Sequence, residues 1–234
     1  MLIGGLTGKE RASGQTGGSP SVVIFDFDGT LVSRDSFFDF SLRYCVRRPA
    51  RVLAMLALSP LLLIVALRST DAALSVLLWA MTLGTSTRDF VAQLRCYARE
   101  VLPSAANEAI FAELLEHARA GRRVAIATGS VPLLVRELLR CRGLPRLPIA
   151  GSRLRRKWGG LITQTHCTGQ TKVRELQRRF GITHWAAVYT NSFADHPLML
   201  DSANVTLVGP SRRTLLLTQR LAGPGTALRV LPAR

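Results

Sequence analysis

Short apolar runs recur along the chain and alternate with stretches of helical periodicity. Five runs predict buried strands: 21–28, 122–129, 147–151, 185–191 and 204–209. Helical patterns lie between them, such as "VPLLVRELLR" with Pro132 near its first turn. Alternating strands and helices are typical of a doubly wound parallel sheet, so we predict an α/β fold.

One region interrupts the alternation and shows helical patterns alone. Within 36–105, the segment 52–67 has only Ser59 and Pro60 as polar or kinking members, and a second apolar segment covers 72–83. The "RSTD" between them predicts a turn with helix-capping residues. We therefore predict an all-helical cap over 36–105, inserted between strands 1 and 2 of a core formed by 21–35 and 106–234. Residues 1–20 are rich in Gly and Ser and contain no long apolar segment, so we expect a flexible tail and not a signal peptide.

The apolar segments of the cap raise the question of a membrane. Sixteen helical residues reach roughly 24 Å and twelve roughly 18 Å, against about 30 Å of hydrocarbon. The strands on either side must join one sheet, so an odd number of crossings is excluded. We expect a helical hairpin that dips into one leaflet, with nearby cations for anionic head groups: Arg43, Arg47, Arg48, Arg51 and Arg68. The alternative is a small bundle that buries its apolar faces.

The charge balance points to an anionic partner. Thirty-one Lys and Arg against 15 Asp and Glu give a formal net charge of +16, which fits nucleic acid, anionic lipid or phosphorylated metabolites. No pattern of aromatic and basic residues suited to base stacking is present, so we expect no nucleic-acid partner. The 4 Cys are scattered without a C-x-x-C pair, which favours reduced thiols in a cytosolic-facing protein.

Two carboxylates stand at the end of the first apolar run, "VVIFDFDGT". A buried strand leaves no room for unpaired acids, so Asp26 and Asp28 should emerge at its carboxyl end, where open α/β sheets place their chemistry. Asp28 points the same way as Asp26 if the strand continues, and Gly29 allows a sharp turn before Thr30. The alternative is a pair of turn caps.

Three further motifs follow strands or begin helices. "ATGS" places Thr128 at the end of the second strand and Gly129 and Ser130 at a helix start, which favours an anion. "GQTK" puts Lys172 at the start of "KVRELQRRF", where a solvated surface lysine is the alternative. "NSFAD" ends at Asp195.

Together the four motifs resemble the haloacid dehalogenase superfamily of aspartyl-phosphate phosphatases. The resemblance implies that Asp26 is the nucleophile, Asp28 the general acid and base, and Lys172 the cation that neutralises the phosphate. It gives phosphate contacts to Thr128, Gly129, Ser130, Gly29 and Thr30. It also implies Mg²⁺ as cofactor, held by Asp26, Asp28 through its backbone carbonyl, Asn191 and Asp195.

Asn191 departs from the family pattern, which has an acidic residue directly before the Ser of "S-x-x-D". An asparagine carbonyl still suits a hard cation, but one negative charge is lost. Three consequences are open: weaker metal binding, compensation by a neighbouring acid, or a phosphate binder with little turnover. We expect an active enzyme with reduced metal affinity.

A finer resemblance extends over the apolar hairpin and the segment 143–173. "SVLLWAMTLG" and "GLPRLPIAGSRLRRKWGGLITQTHCTGQTKV" are similar to the bacterial phosphatidylglycerophosphatase C type, of subfamily IB character. The resemblance implies removal of the terminal phosphate of phosphatidylglycerophosphate at the cytoplasmic face of the inner membrane. "RLRRKW" (153–158) is then a head-group contact with Trp158 at the interface, or a solvated basic turn.

Two alternatives remain at this point. One is a soluble phosphatase of a small molecule such as phosphoserine, with the insertion as a lid. The other is a basic, membrane-associated binding protein of the same fold without turnover. We predict a closing helix and a tail after Gly209 and assign them no function; the sequence gives no expectation of oligomeric state.

Overall fold

The computed structural model describes residues 21–223 and 225–233, except for the side chains of 49–51, 54, 61, 62, 66 and 70. The predicted tail 1–20 and the side chain of Arg51 therefore lie outside the described residues. Six parallel strands form one sheet in the order β3-β2-β1-β6-β7-β8: β1 (Val22–Phe25), β2 (Arg123–Ala127), β3 (Ile149–Ala150), β6 (Ala187–Thr190), β7 (Asn204–Val208) and β8 (Ala227–Leu231). This confirms the predicted α/β fold with a parallel sheet.

The first strand is central and buried on both faces. Val23 and Phe25 pack into one apolar cluster while Ile24 packs into the cluster on the opposite face, as the alternation of side chains along a strand requires. Pairing of β1 with both β2 and β6 aligns the carboxyl ends of the three strands. Residues that follow these strands are thereby brought to one edge of the sheet.

Nine helices are described. They are α1 (Ser36–Val46), α2 (Pro49–Arg68), α3 (Thr70–Thr82), α4 (Thr87–Glu100), α5 (Glu108–Arg119), α6 (Pro132–Cys141), α7 (Gln170–Phe180), α8 (His196–Leu200) and α9 (Arg212–Leu221), with 3₁₀ turns at Leu102–Ala105 and Phe193–Asp195. The predicted hairpin is formed by α2 and α3, and Ser69 caps α3 by accepting a hydrogen bond from the Ala72 amide at 3.3 Å.

Aromatic packing fixes α1 over the sheet edge. The Phe40 ring meets Phe90 and Tyr97 of α4 edge-on, with centroids 5.5 and 5.6 Å away. The hydroxyl of Tyr97 donates to Asp39 at 2.8 Å. Because α4 is in turn tied to α6 through Arg99 and the buried carboxylate of Glu137, the position of α1 is set by the core.

The sequence analysis missed a β-hairpin that packs on α3. β4 (Arg153–Lys157) and β5 (Gly160–Thr165) pair in antiparallel fashion, so the alternative of a turn over 153–158 is wrong, although Arg153, Arg155 and Arg156 are exposed. The hairpin packs on α3: the Trp79 indole donates to the Trp158 carbonyl at 3.0 Å, and the Leu161 amide donates to the Thr82 hydroxyl at 2.7 Å. Only a glycine fits at position 160, since a Cβ there would lie 2.7 Å from Cδ1 of Trp79.

The chain after Gly209 also differs from the prediction. The closing helix is present as α9, but the predicted tail contains β8, which pairs with β7 at the edge of the sheet. In the part of the chain that the structure describes, no helix is both long and apolar enough to cross a bilayer.

Candidate active site

Four polar residues converge where β1, β2 and β6 end. Asp26 follows β1, and its amide donates to the Tyr189 carbonyl at 2.8 Å, which continues the ladder between β1 and β6. Thr128 follows β2, and Asp195 lies in the turn after β6. Lys172 reaches this edge from the first turn of α7. The structure thus brings together residues that are far apart in the sequence.

Lys172 bridges two buried carboxylates. Its Nζ lies 2.8 Å from Oδ1 of Asp26 and 2.7 Å from Oδ1 of Asp195. The Thr190 hydroxyl donates to the other oxygen of Asp195 at 2.7 Å. All these side chains are buried, so the charge-assisted hydrogen bonds are formed away from bulk water, where they are strong.

The protonation equilibria of this group follow from burial and charge. Burial raises the pKa of Asp26 above its ordinary value; Lys172 lowers this pKa, while Asp195 raises it further. Burial alone would lower the pKa of Lys172, but Asp26 and Asp195 raise it by more, so the ammonium stays charged. The cluster has one cation for two carboxylates and therefore retains room for a further positive charge.

Asp28 is held through both carboxylate oxygens. Oδ1 accepts from the Ser36 amide at 2.8 Å, and Oδ2 accepts from the Thr128 hydroxyl at 3.3 Å. Burial raises the pKa of Asp28 to about 6, against the effect of these hydrogen bonds. A carboxyl group with this pKa exchanges its proton near neutral pH, which suits a general acid and base.

A chain of hydroxyl groups connects Asp28 to the next loop. The Ser130 amide donates to the Thr128 hydroxyl at 2.9 Å, and the hydroxyls of Ser36 and Ser130 lie 2.8 Å apart. Sequence reasoning missed Ser36, which follows the N-cap Asp35 and carries no motif of its own.

Asn191 lies against Gly29. A Cβ added to Gly29 would be 2.0 Å from Nδ2 of Asn191, and Gly29 has a φ of 74°, in the left-handed region. The turn that carries Asp28 and the amide of Asn191 can approach this closely only with glycine at position 29. The motifs after β1 and β6 are therefore packed against each other.

The predicted magnesium ligands offer oxygen atoms alone, as this hard cation prefers. Within the described residues, no group of three or more His, Cys, Asp or Glu could hold a metal ion. Two carboxylates, Asp26 and Asp195, remain as donors, supplemented by the Asn191 amide and the Asp28 carbonyl. The donor types fit magnesium, with one carboxylate fewer than in the family pattern.

One cavity of about 440 Å³ contains the polar cluster and an apolar wall. Asp26, Asp28, Lys172, Asn191 and Asp195 line it. The apolar lining comes from α1, α2, α3 and β4 and includes Phe37, Phe38, Leu42, Met55, Leu74, Leu77, Leu78, Met81 and Leu154. The carboxylates therefore face a space that is suited to an amphiphilic ligand.

The predicted phosphate contacts differ in their access to this cavity. Gly129 and Ser130 line it. Gly29 and Thr128 are not among its lining residues, although the Thr128 hydroxyl donates to Asp28, which is. Thr30 is fully buried away from it, and its hydroxyl has no hydrogen-bond partner among the described residues. The structure does not bring Thr30 to the cavity, and sequence reasoning missed Thr190, Ser152 and His166.

The sequence model of the haloacid dehalogenase-like hydrolase family matches residues 23–200 of this chain, a range that includes all four motifs. The chain belongs to this family. It is therefore a hydrolase, as predicted. Protein CicA of Caulobacter vibrioides (strain NA1000 / CB15N) is 30% identical over 183 residues, which cover 76% of this chain and 80% of that protein.

Solved structures share the fold of this haloacid dehalogenase-like hydrolase. A protein with unknown function from Bordetella pertussis Tohama I has a TM-score of 0.66 at 18% identity, with 90% of this chain and 99% of that chain covered. A phosphoserine phosphohydrolase-like protein from Francisella tularensis subsp. tularensis SCHU S4 has a TM-score of 0.55 at 13% identity, with 85% and 92% covered. Both similarities concern the fold.

Proposed function

We propose that this chain is a magnesium-dependent phosphomonoester hydrolase that removes a phosphate from a membrane lipid, with phosphatidylglycerophosphate as its substrate. The observation that carries the proposal is that Asp26, Asp28 and Lys172 line the same cavity as the apolar side chains of α1, α2 and α3. A phosphate at the carboxylates and an apolar body along the helices match this distribution of polarity.

The first half-reaction is a phosphoryl transfer to Asp26. A carboxylate oxygen of Asp26 attacks phosphorus and forms an acyl-phosphate bond, while the bond from phosphorus to the lipid alcohol breaks. The carboxylic acid of Asp28 gives its proton to the departing oxygen. Lys172 favours the ionised form of Asp26 and orients it, and it balances charge on the phosphoryl oxygens.

In the second half-reaction, Asp28 acts as the base. Its carboxylate takes a proton from water, whose oxygen attacks phosphorus and breaks the acyl-phosphate bond. Inorganic phosphate leaves, and Asp26 and Asp28 return to their starting states. Thr128 and Ser36 keep the Asp28 carboxylate in one orientation through both steps.

Magnesium would be held by Asp26, Asn191, Asp195 and the backbone carbonyl of Asp28, and when bound it would supply charge neutralisation at the phosphoryl group. The proposed loss of one anionic ligand at Asn191 lowers the affinity for the metal. The unbalanced charge of the Asp26–Lys172–Asp195 cluster supports cation binding at this point.

An exposed apolar surface supports action at a membrane. On α2, five large side chains at helical spacing are more than half exposed: Leu53, Leu56, Leu63, Ile64 and Leu67. Phe38, Leu42 and Leu74 are exposed and also line the cavity, so its rim is apolar. Trp158, 77% exposed at the tip of the β4–β5 hairpin, fits an interfacial anchor. We propose binding to the cytoplasmic face of the inner membrane, through contact and not through a spanning helix.

The proposal is tested by phosphate release from three substrates. Purified protein and its Asp26→Asn variant are incubated with phosphatidylglycerophosphate, phosphatidic acid and phosphoserine, with and without Mg²⁺. We expect release from phosphatidylglycerophosphate by the wild type with Mg²⁺ and none by the variant. Faster phosphate release from phosphoserine than from phosphatidylglycerophosphate would contradict the proposed lipid substrate, but not the proposed phosphatase activity.

Two alternatives have some support. The fold shared with the phosphoserine phosphohydrolase-like protein of Francisella favours a soluble small phosphomonoester as substrate. It predicts equal rates on short esters and on lipid. Asn191 favours a non-catalytic lipid-binding protein, which predicts no phosphate release from any substrate and lipid binding unaffected by Asp26→Asn.

A further inference from the structure

His166 lies in the wall of the cavity, in the segment after β5. The neighbouring Cys167 amide donates to the Ser152 hydroxyl at 2.9 Å, and this hydroxyl donates to the Gly129 carbonyl at 2.5 Å. The segment is thereby fixed beside the loop that contains Gly129 and Ser130. His166 lines the cavity together with residues of this loop and of the apolar helix α3.

Asp71 determines which ring nitrogen of His166 carries the proton. Nδ1 of His166 lies 2.6 Å from Oδ1 of Asp71, in the first turn of α3. An ionised carboxylate can only accept a hydrogen bond, so the proton is on Nδ1. In the neutral ring, Nε2 is then a hydrogen-bond acceptor, and it has no partner among the residues that the structure describes.

We propose that Nε2 of His166 accepts a hydrogen bond from a hydroxyl group on the leaving alcohol of the substrate, and that Asp71 is its positioning residue. This inference rests on the proposed function and names how the same cavity selects its substrate. In phosphatidylglycerophosphate, the carbon next to the phosphate ester carries a free hydroxyl. In phosphatidic acid, the same position is acylated, so His166 favours the first lipid over the second.

The test compares phosphatidylglycerophosphate with its analogue that lacks this hydroxyl, the phosphate of phosphatidyl-1,3-propanediol. The wild type should show a kcat/KM about tenfold to a hundredfold higher for the hydroxylated lipid, the range expected for one hydrogen bond that the site makes to its substrate. His166→Asn keeps a donor for Asp71 but loses the Nε2 acceptor. It should abolish the preference, so that kcat/KM for the hydroxylated lipid falls to the value for the analogue.

Asp71 is tested by two substitutions. Asp71→Ala frees the ring and should raise KM for the hydroxylated lipid more than it lowers kcat, while Asp71→Asn keeps an acceptor for Nδ1 and should restore the preference. His184→Asn makes the same chemical change at an exposed position outside the cavity lining and should leave the preference intact.

Three results would overturn the inference. The first is equal hydrolysis of both lipids by the wild type. The second is a fall of both rates by the same factor in His166→Asn, and the third is an unchanged preference in Asp71→Ala. Phosphate release without discrimination overturns this inference alone. Absence of release from both lipids overturns the proposed function with it.

Discussion

Asn191 packs its amide directly against the backbone of Gly29, at a place where a single added carbon would lie 2.0 Å from Nδ2. The contact joins the turn that carries Asp28 to the turn that carries Asp195. Substitutions at either residue therefore test whether this contact sets the geometry of the site.

Gly29→Ala should abolish phosphate release and lower the unfolding temperature. Alanine adds both a left-handed backbone strain of about 1–2 kcal/mol and a clash with Asn191. Gly121→Ala is the matched control, because Gly121 has a similar φ of 72° but no atom within 4 Å of an added Cβ. The stability of Gly121→Ala should fall by the strain energy alone, and this variant should stay active. Equal effects of the two variants on activity would show that the Asn191 contact is unimportant.

Asn191→Asp should strengthen metal binding. The added carboxylate restores the missing negative charge, and the Mg²⁺ concentration for half-maximal phosphate release should fall on the order of tenfold. In EDTA, the same variant should unfold more easily than the wild type, because three carboxylates then lie close together and Lys172 balances the charge of only one of them. A wild-type rate that does not depend on Mg²⁺ would contradict the proposed cofactor.

Ionisation of the buried Asp28 carboxyl group should destabilise the metal-free protein as the pH rises. Its pKa is about 6 in the folded chain and 3.8 as the ordinary value, so the folded state binds more protons between these values. Stability from this group is present below about pH 4 and is lost through pH 6. Asp28→Asn removes the dependence and should be more stable than the wild type by ~3 kcal/mol at pH 8. Denaturant unfolding in EDTA at pH 4 and pH 8 measures the difference; a constant difference would refute it.

Acidic substitutions on the exposed face of α2 should lower the hydrolysis of vesicle lipid but not that of soluble substrates. Leu63→Glu with Leu67→Glu should reduce sedimentation with anionic vesicles and phosphate release from vesicle lipid by at least tenfold, since both leucines must otherwise enter the interface. Hydrolysis of a short soluble ester should not change. Leu216→Glu, at a half-exposed position on α9, is the control. Unaltered vesicle binding by the double variant would show that this face does not contact the membrane.

The sequence predicts the parallel strands that are buried on both faces, because their apolar runs need no knowledge of neighbours. It does not predict β4, whose "RLRRK" has a single apolar residue and is stabilised by pairing with β5 and packing on α3. β8 is missed for a related reason. Its residues are partly exposed at the sheet edge, and pairing with β7 determines their conformation.

For the site, motif order predicts the convergence of Asp26, Lys172 and Asp195, since topology brings the carboxyl ends of parallel strands together. Single polar residues outside motifs escape this reasoning. Ser36 contributes a backbone amide, which any residue type carries, and His166 contributes through a partner 95 positions away. Only the packing of α1 and α3 against the core reveals them.

The central claim is that Asp26 carries the phosphoryl group during turnover. The wild-type protein is mixed with lipid labelled in its terminal phosphate and quenched in acid during the first turnover, and the bound label is located by mass spectrometry and by release with hydroxylamine. The account predicts label on Asp26 that hydroxylamine removes, and no label on the Asp26→Asn protein. Label at another residue, or equal label on the Asp26→Asn protein, would contradict it.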